Sequence, residues 1–233
     1  RLMNWKILSC DYSSMKFIAH RGHSSEYRDN SMEAIQAAIN LGYHGIEIDV
    51  QPCATGELCL FHDLYLGDKF IRDMSVEDVK AHGILLLEEV YDITQDIPIY
   101  LDIKGTDSSL VETFFENRRH DNITFCSFNR KILKELPPTM RKGTTFEMRL
   151  DGQHEYDMIT RGMQAILVHW SCLDEHLIAH CKRRGIEVLT YTHKTDEDLN
   201  YMKRFDVDSI ITNGLRTHDN SDPLHEEKTK EDS

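Results

Sequence analysis

Short apolar runs that end in charge recur along this chain. Phe17-Ile18-Ala19 leads into His20-Arg21-Gly22, Gly45 to Val50 interleaves aliphatic residues with Glu47 and Asp49, and Leu60-Phe61 delivers His62-Asp63. Strand side chains alternate between faces. Ile46, Ile48 and Val50 therefore point one way and Glu47 and Asp49 the other. Residues 97–104 repeat the device, with Leu101 and Ile103 on one face and Asp102 and Lys104 on the other. Strands of this kind read as buried on both sides, as parallel strands are. Two carboxylates side by side repel, so a fold keeps them where they are solvated or share a cation. For an isolated E-x-D both readings stand.

The same pattern predicts eight strands, over 16–19, 45–50, 99–104, 123–127, 144–150, 165–169, 187–192 and 209–212. Helical runs separate them. Met32, Ile35, Ala38 and Ile39 recur at helical spacing behind an N-cap at Asn30-Ser31 and stop at Gly42. Further helical runs cover 108–117, 130–136, 155–160, 174–184 and 196–205. Between the second and third strands lie an extra short strand at 58–61 and short helices at 73–81 and 86–94. Repeated strand–helix alternation with parallel crossovers predicts an α/β fold, a TIM (β/α)8 barrel carrying that extra strand and helical insertion. An open doubly wound sheet is the structural alternative, but no G-x-G-x-x-G follows any strand. Residues 1–14, with Trp5, Ile7 and Leu8, are expected to cover the barrel bottom or an edge. One domain is expected over 1–218, with 219–233 a polar, disordered tail.

Composition agrees with one globular domain. The chain has 233 residues, 40% of them hydrophobic, and no apolar run nears the roughly 18 residues of a membrane span. A formal charge of -13 opposes nucleic-acid backbones and anionic surfaces at long range. No nucleic-acid partner is expected, and any phosphate must be captured locally. The six cysteines form no C-x-x-C, which points to free thiols in a reducing, cytoplasmic compartment. A Cys53–Cys59 bridge across the Ala54-Thr55-Gly56 turn is the alternative. No signal peptide is evident, but the first residue is Arg1 rather than methionine, so a trimmed leader stays open.

Taken in order, the motifs resemble those of the glycerophosphodiester phosphodiesterases. That family's pattern runs H-R-G, E-N-T, E-x-D, H-D, E-x-K, S-F, W-T-x-N and I-I-T-D. This chain has His20-Arg21-Gly22, Asp29-Asn30-Ser31, Glu47-Ile48-Asp49, His62-Asp63, Asp102-Ile103-Lys104, Ser127-Phe128, Tyr191-Thr192 and Ile210-Ile211-Thr212-Asn213. It departs from the pattern at Asp29, Asp102, Tyr191 and Asn213. The resemblance implies hydrolysis of a glycerophosphodiester, such as glycerophosphocholine, to glycerol 3-phosphate and an alcohol.

In such a barrel the C-terminal strand ends share one rim, where active sites sit. Glu47, Asp49 and Asp102 would meet there, and three carboxylates suit a hard cation, Mg²⁺ or Ca²⁺, better than zinc. Arg21 and Lys104 are candidate phosphate partners, or ion-pair partners of the same carboxylates, or both. By resemblance His20 and His62 are the general acid/base pair, with the division of labour between them open. Asn30 caps a helix and by resemblance touches the site. Asp63 is expected to orient its loop. Phe128, Glu147, His169 and Tyr191 are candidates for holding the alcohol portion or for packing the barrel mouth, and Glu147 and Arg149 are expected on one strand face. His23, His44, His154, His176 and His180 read as surface or structural.

Two other functions are possible. A phospholipase D of the sphingomyelinase type, acting on lysolipids or sphingomyelin, would need an apolar surface, and no aromatic or leucine loop is evident beside the motifs. A non-catalytic phosphate-binding barrel would be expected to lack one of the histidines or carboxylates, and none is missing.

Overall fold

The computed structural model describes residues 15–214. The expectations for 1–14 and 219–233 lie outside the described residues, as does Cys10. The strands are β1 (Lys16–His20), β2 (Gly45–Pro52), β3 (Leu58–Cys59), β4 (Tyr65–Leu66), β5 (Lys69–Phe70), β6 (Ile99–Ile103), β7 (Ile123–Ser127), β8 (Arg141–Phe146), β9 (Ala165–His169), β10 (Glu187–His193) and β11 (Ser209–Thr212). The helices are α1 (Met32–Asn40), α2 (Val76–Ala81), α3 (Leu87–Tyr91), α4 (Ser109–Phe115), α5 (Arg130–Glu135), α6 (Gln153–Thr160), α7 (Glu175–Arg183) and α8 (Asp196–Met202).

The main sheet runs β1-β11-β10-β9-β8-β7-β6-β2-β3, and pairing of β1 with β2 closes it. All of these strands pair in parallel except β3, which lies antiparallel on β2. The result is a closed (β/α)8 barrel with an extra strand outside it. Alternation along the strands builds two apolar regions. Ile46, Ile48, Val50, Leu101 and Ile103 face outward into the main core under the helices, whereas Ile18, Tyr100, Cys126, Leu167, Leu189 and Ile211 pack together in a separate cluster inside the barrel. Near the strand starts, Tyr100 donates to Glu187 Oε1 at 2.9 Å and Arg141 to Glu187 Oε2 at 2.8 Å, which closes that end with a satisfied polar layer.

Local chemistry fixes the entry to the first helix. Ser31 caps α1 by accepting from Ala34 N at 3.1 Å. Gly22 takes a positive φ of 82°, and a Cβ there would meet the Ala34 carbonyl carbon at 2.6 Å. Only glycine lets this turn lie against α1.

Two expected elements are corrected. The fifth barrel strand is Arg141–Phe146 rather than 144–150. Its polar start reads as loop in sequence, yet Arg141 bonds Thr124 and Glu187 while Lys142 Nζ donates to Leu136 O at 2.6 Å. Glu147 and Arg149 consequently lie beyond the strand and share no strand face. The extra strand is only Leu58–Cys59, and a second hairpin, β4–β5, follows it. Cys53 and Cys59 are both free; the Cys53 thiol donates to Glu57 Oε2 at 3.3 Å instead. Among the described residues no helix is long and apolar enough to cross a membrane.

Candidate active site

Strand register places the carboxylates. Asp49 on β2 is the direct neighbour of Asp102 on β6, and His20 on β1 neighbours Glu47 on β2. Their faces are set by the same alternation that sends the isoleucines outward. Glu47, Asp49 and Asp102 are all buried, and each offers an oxygen within 4.8 Å of the others. One cavity of about 210 Å³ is lined by these three together with His20, Arg21, His62, Lys104, Phe128, Glu147 and Tyr191. His169 lines an adjoining cavity of about 550 Å³, shared with Arg21, Tyr191 and Asn213, and Asn30 sits behind the carboxylates.

Each acidic group has a different environment. Asp49 Oδ1 lies 2.9 Å from Lys104 Nζ, while Oδ2 accepts from Asn30 Nδ2 at 2.9 Å and lies 3.2 Å from Arg21 Nε. Burial alone would raise its pKa, but Lys104 and Arg21 hold it below the ordinary value. Asp102 Oδ2 accepts from Lys104 Nζ at 2.5 Å, and its Oδ1 is buried with no hydrogen-bond partner. Burial pushes Asp102 up, against the pull of Lys104. Glu47 is pushed well above its ordinary value by burial and then by the charges of Asp49 and Asp102. A buried carboxylate oxygen with no donor and a neighbour resisting ionisation are the conditions a cation relieves. The all-oxygen donor set suits Mg²⁺ or Ca²⁺, so these residues fit a divalent ion.

Both basic groups are already paired. Lys104 bridges Asp49 and Asp102; burial opposes its charge, but the two carboxylates raise its pKa on balance. Arg21 bonds Asp29 Oδ2 through Nη1 at 2.8 Å and keeps other N–H groups for an anion. The ion-pair role expected of both residues is therefore present.

The two histidines have different supports. His20 Nδ1 lies 2.6 Å from Asn213 Oδ1, so the acceptor oxygen calls for an N–H at Nδ1 and leaves a lone pair on Nε2, 3.9 Å from Glu47 Oε2. Burial and then the Arg21 guanidinium lower its pKa to about 4. His62 lies half-buried on the loop after β3, with Nδ1 2.7 Å from Asp63 Oδ1. Asp63 thus steadies the imidazole, and its backbone oxygen, accepting from Gln51 Nε2 at 2.8 Å, also anchors the loop.

Other site features were also missed in the sequence. Asn213 matters because β11 closes on β1, a neighbourhood that only the closed barrel supplies. Thr145 lines the cavity with a buried, unpartnered hydroxyl. Leu64 and Tyr65, directly after His62-Asp63, are 45% and 49% exposed, so an apolar loop does stand beside the motifs. The β4–β5 hairpin turns Leu64 and Tyr65 outward, while Leu66 packs against a core cluster.

Fold and rim together define a barrel hydrolase with an acidic, histidine-flanked cavity. The signature of the glycerophosphoryl diester phosphodiesterase family matches residues 20–217, and the chain belongs to that family of phosphoric diester hydrolases. A glycerophosphodiester phosphodiesterase of Caldanaerobacter subterraneus is 27% identical, over 86% of this chain and 94% of that protein. The Thermotoga maritima glycerophosphodiester phosphodiesterase structure is similar with a TM-score of 0.75 at 24% identity, over 85% of this chain and 94% of that one. A phosphodiesterase of Oleispira antarctica, solved with the product sn-glycerol-3-phosphate, is similar with a TM-score of 0.74 at 21% identity, over 87% and 95%.

Proposed function

We propose that this chain hydrolyses a glycerophosphodiester, such as glycerophosphocholine, to glycerol 3-phosphate and an alcohol, with Mg²⁺ or Ca²⁺ held by Glu47, Asp49 and Asp102. The observation that carries the reading is the single cavity that collects two histidines, three buried carboxylates, Arg21 and Lys104. When bound, the ion supplies positive charge against the phosphoryl oxygens. Arg21 and Lys104 orient the phosphate from the carboxylates that anchor them.

The histidine supports favour a division of labour. His20, kept neutral by burial with its Nε2 lone pair free, takes a proton from the water that attacks phosphorus. His62, backed by Asp63, gives a proton to the oxygen of the departing alcohol as the P–O bond breaks. Proton uptake and release balance, and each imidazole is restored by exchange with solvent. Phe128, Glu147, His169 and Tyr191 surround the space where that alcohol would lie.

One observation favours a second reading, an acyl-bearing lysophosphodiester as substrate. Leu64 and Tyr65 stand exposed next to His62, with Phe128 at 48% and Met148 at 58% on the same rim. Such a ring suits the apolar portion of a lipid. A panel of glycerophosphodiesters, lysophosphatidylcholine and sphingomyelin, assayed with Mg²⁺, with Ca²⁺ and with chelator, separates the readings. Metal-dependent release of glycerol 3-phosphate is expected; release from the lipids alone would favour the second reading, and no turnover of any diester would overturn both.

A further inference from the structure

The chain holds a single Asn-Gly pair, Asn213-Gly214, and it stands at the rim directly after β11. Closure of the barrel fixes both residues. Asn213 O accepts from Ser25 N at 2.8 Å, and a Cβ on residue 214 would collide with the Ser25 hydroxyl. Packing therefore demands glycine there, and the amide that follows Asn213 has no side chain to shield it. The Gly214 N–H lies past the last rung of the strand ladder, with a long bond of 3.4 Å to Thr212 Oγ1. Both residues are half-buried rather than sealed in the core.

An asparagine followed by glycine can cyclise. The backbone nitrogen of Gly214 gives up its proton and its lone pair attacks Asn213 Cγ; the bond from Cγ to Nδ2 breaks, and ammonia leaves a succinimide behind. Water then opens the ring at either carbonyl, giving aspartate or isoaspartate, so the net reaction consumes one water and releases one ammonia. Two features beyond the bare dipeptide suit this site to that chemistry. Asn213 Oδ1 accepts from His20 Nδ1 at 2.6 Å, which draws electrons from Cγ and stabilises the negative oxygen of the tetrahedral intermediate. Asn213 also lines the adjoining cavity of about 550 Å³, and among the described residues its Nδ2, the departing nitrogen, makes no hydrogen bond. Asn30 is the contrast: it is buried, with both amide atoms bonded to Asp49 and serine after it.

We propose that Asn213-Gly214 is a self-modification site, at which spontaneous deamidation assisted by the hydrogen bond from His20 turns the neutral partner of that histidine into aspartate or isoaspartate. Aspartate keeps an acceptor for His20 Nδ1 and adds a charge. Isoaspartate carries the main chain through the former side chain and lengthens it by a methylene, which draws the acceptor away from the imidazole. The rim therefore passes with age from one form to a mixture, and turnover falls as the isoaspartate fraction grows. That effect on turnover rests on the histidine scheme proposed above, whereas the covalent change does not.

The test incubates the full chain at mildly alkaline pH and follows its tryptic peptide 205–216, in which Asn213 is the only side-chain amide, by chromatography and mass spectrometry. The peptide is expected to gain about one dalton and to split into two products of equal mass, the aspartyl and isoaspartyl forms. The same peptide synthesised and free in solution sets the unassisted rate, and the folded chain is expected to convert no more slowly. His20→Ala should slow the folded chain by about two- to tenfold, the rate equivalent of one hydrogen bond. A folded chain slower than the free peptide, or a rate unmoved in His20→Ala, overturns the proposal. If His20→Ala does not fold, the comparison of folded chain with free peptide decides alone. Conversion without loss of kcat upholds the site and overturns its effect on turnover. A chain that hydrolyses no diester ends the hydrolase reading, while the mass readout still decides the site.

Discussion

Replacing Glu47 with glutamine should make the metal-free protein more stable and the metal-loaded protein less so. Glu47 offers an oxygen within 4.8 Å of oxygens on Asp49 and Asp102. At an effective dielectric near 20, each fully ionised pair at that distance repels by about 3.5 kcal/mol. Arg21 and Lys104 offset much of this, and the rest is what pushes Glu47 toward its protonated form. The sign follows from that raised pKa. Glu47 costs nothing below its unfolded value; its penalty grows as pH rises from there and is complete above the folded value. Glutamine is nearly isosteric and carries no charge, so at neutral pH it should recover about 2 kcal/mol, or about 4–8 °C in Tm for a chain of this length. Thermal unfolding in chelator and in excess Mg²⁺ or Ca²⁺ measures both sides. An ion at about one hundred times its dissociation constant adds about 2.7 kcal/mol to the wild type, and the variant, which lacks one charged ligand, should gain under about 0.7 kcal/mol. The order of stabilities therefore inverts between the two buffers. A variant that is less stable in chelator, yet gains as much from metal as the wild type, would remove Glu47 from the ligand set and refute the repulsion argument.

His20→Ala and His62→Ala should each lower kcat by about 10²–10⁴ with KM much less changed; initial rates decide, and near-normal turnover in His62→Ala would end the two-histidine scheme. Asp102→Glu should be tolerated with a changed Mg²⁺-to-Ca²⁺ preference, whereas Asp102→Asn should lose most activity; an unchanged metal requirement in Asp102→Asn would mean that Asp102 only pairs with Lys104. His193 is fully buried, and burial, reinforced by His169, lowers its pKa from the ordinary 6.5 to about 4. Its contribution to stability is complete above pH 6.5 and is lost as pH falls toward 4, by about 3 kcal/mol in all; unfolding curves across that window should be flatter for His193→Gln, and an equal slope would refute the assignment.

The parts of this fold legible in the sequence are those governed by local alternation. Parallel strands buried on both faces give apolar runs, and Glu47, Asp49, Asp102 and Lys104 stand out because they interrupt such runs at strand spacing. Strand ends are less legible, because a polar rim residue can serve either the strand or the loop. Arg141 and Lys142 read as loop although they begin β8, and Glu147 reads as strand although it has left it. The β4–β5 hairpin has two residues per strand, too few to show a period. Least legible are the pairings made by closure. Asn213 reaches His20 only because the last strand meets the first, and Asp63 bonds its own neighbour His62 in a way no hydrophobic pattern encodes. Cys53 and Cys59 are free, as the lack of any C-x-x-C suggests, and the alternative bridge across their turn does not form.

The central claim is metal-dependent cleavage of a glycerophosphodiester at this rim, and ³¹P NMR of the full chain with glycerophosphocholine tests it most directly. With Mg²⁺ or Ca²⁺ the diester resonance should give way to that of glycerol 3-phosphate, and chelator should stop the conversion. Conversion at full rate in chelator, or an unchanged diester resonance with either ion, would contradict the account.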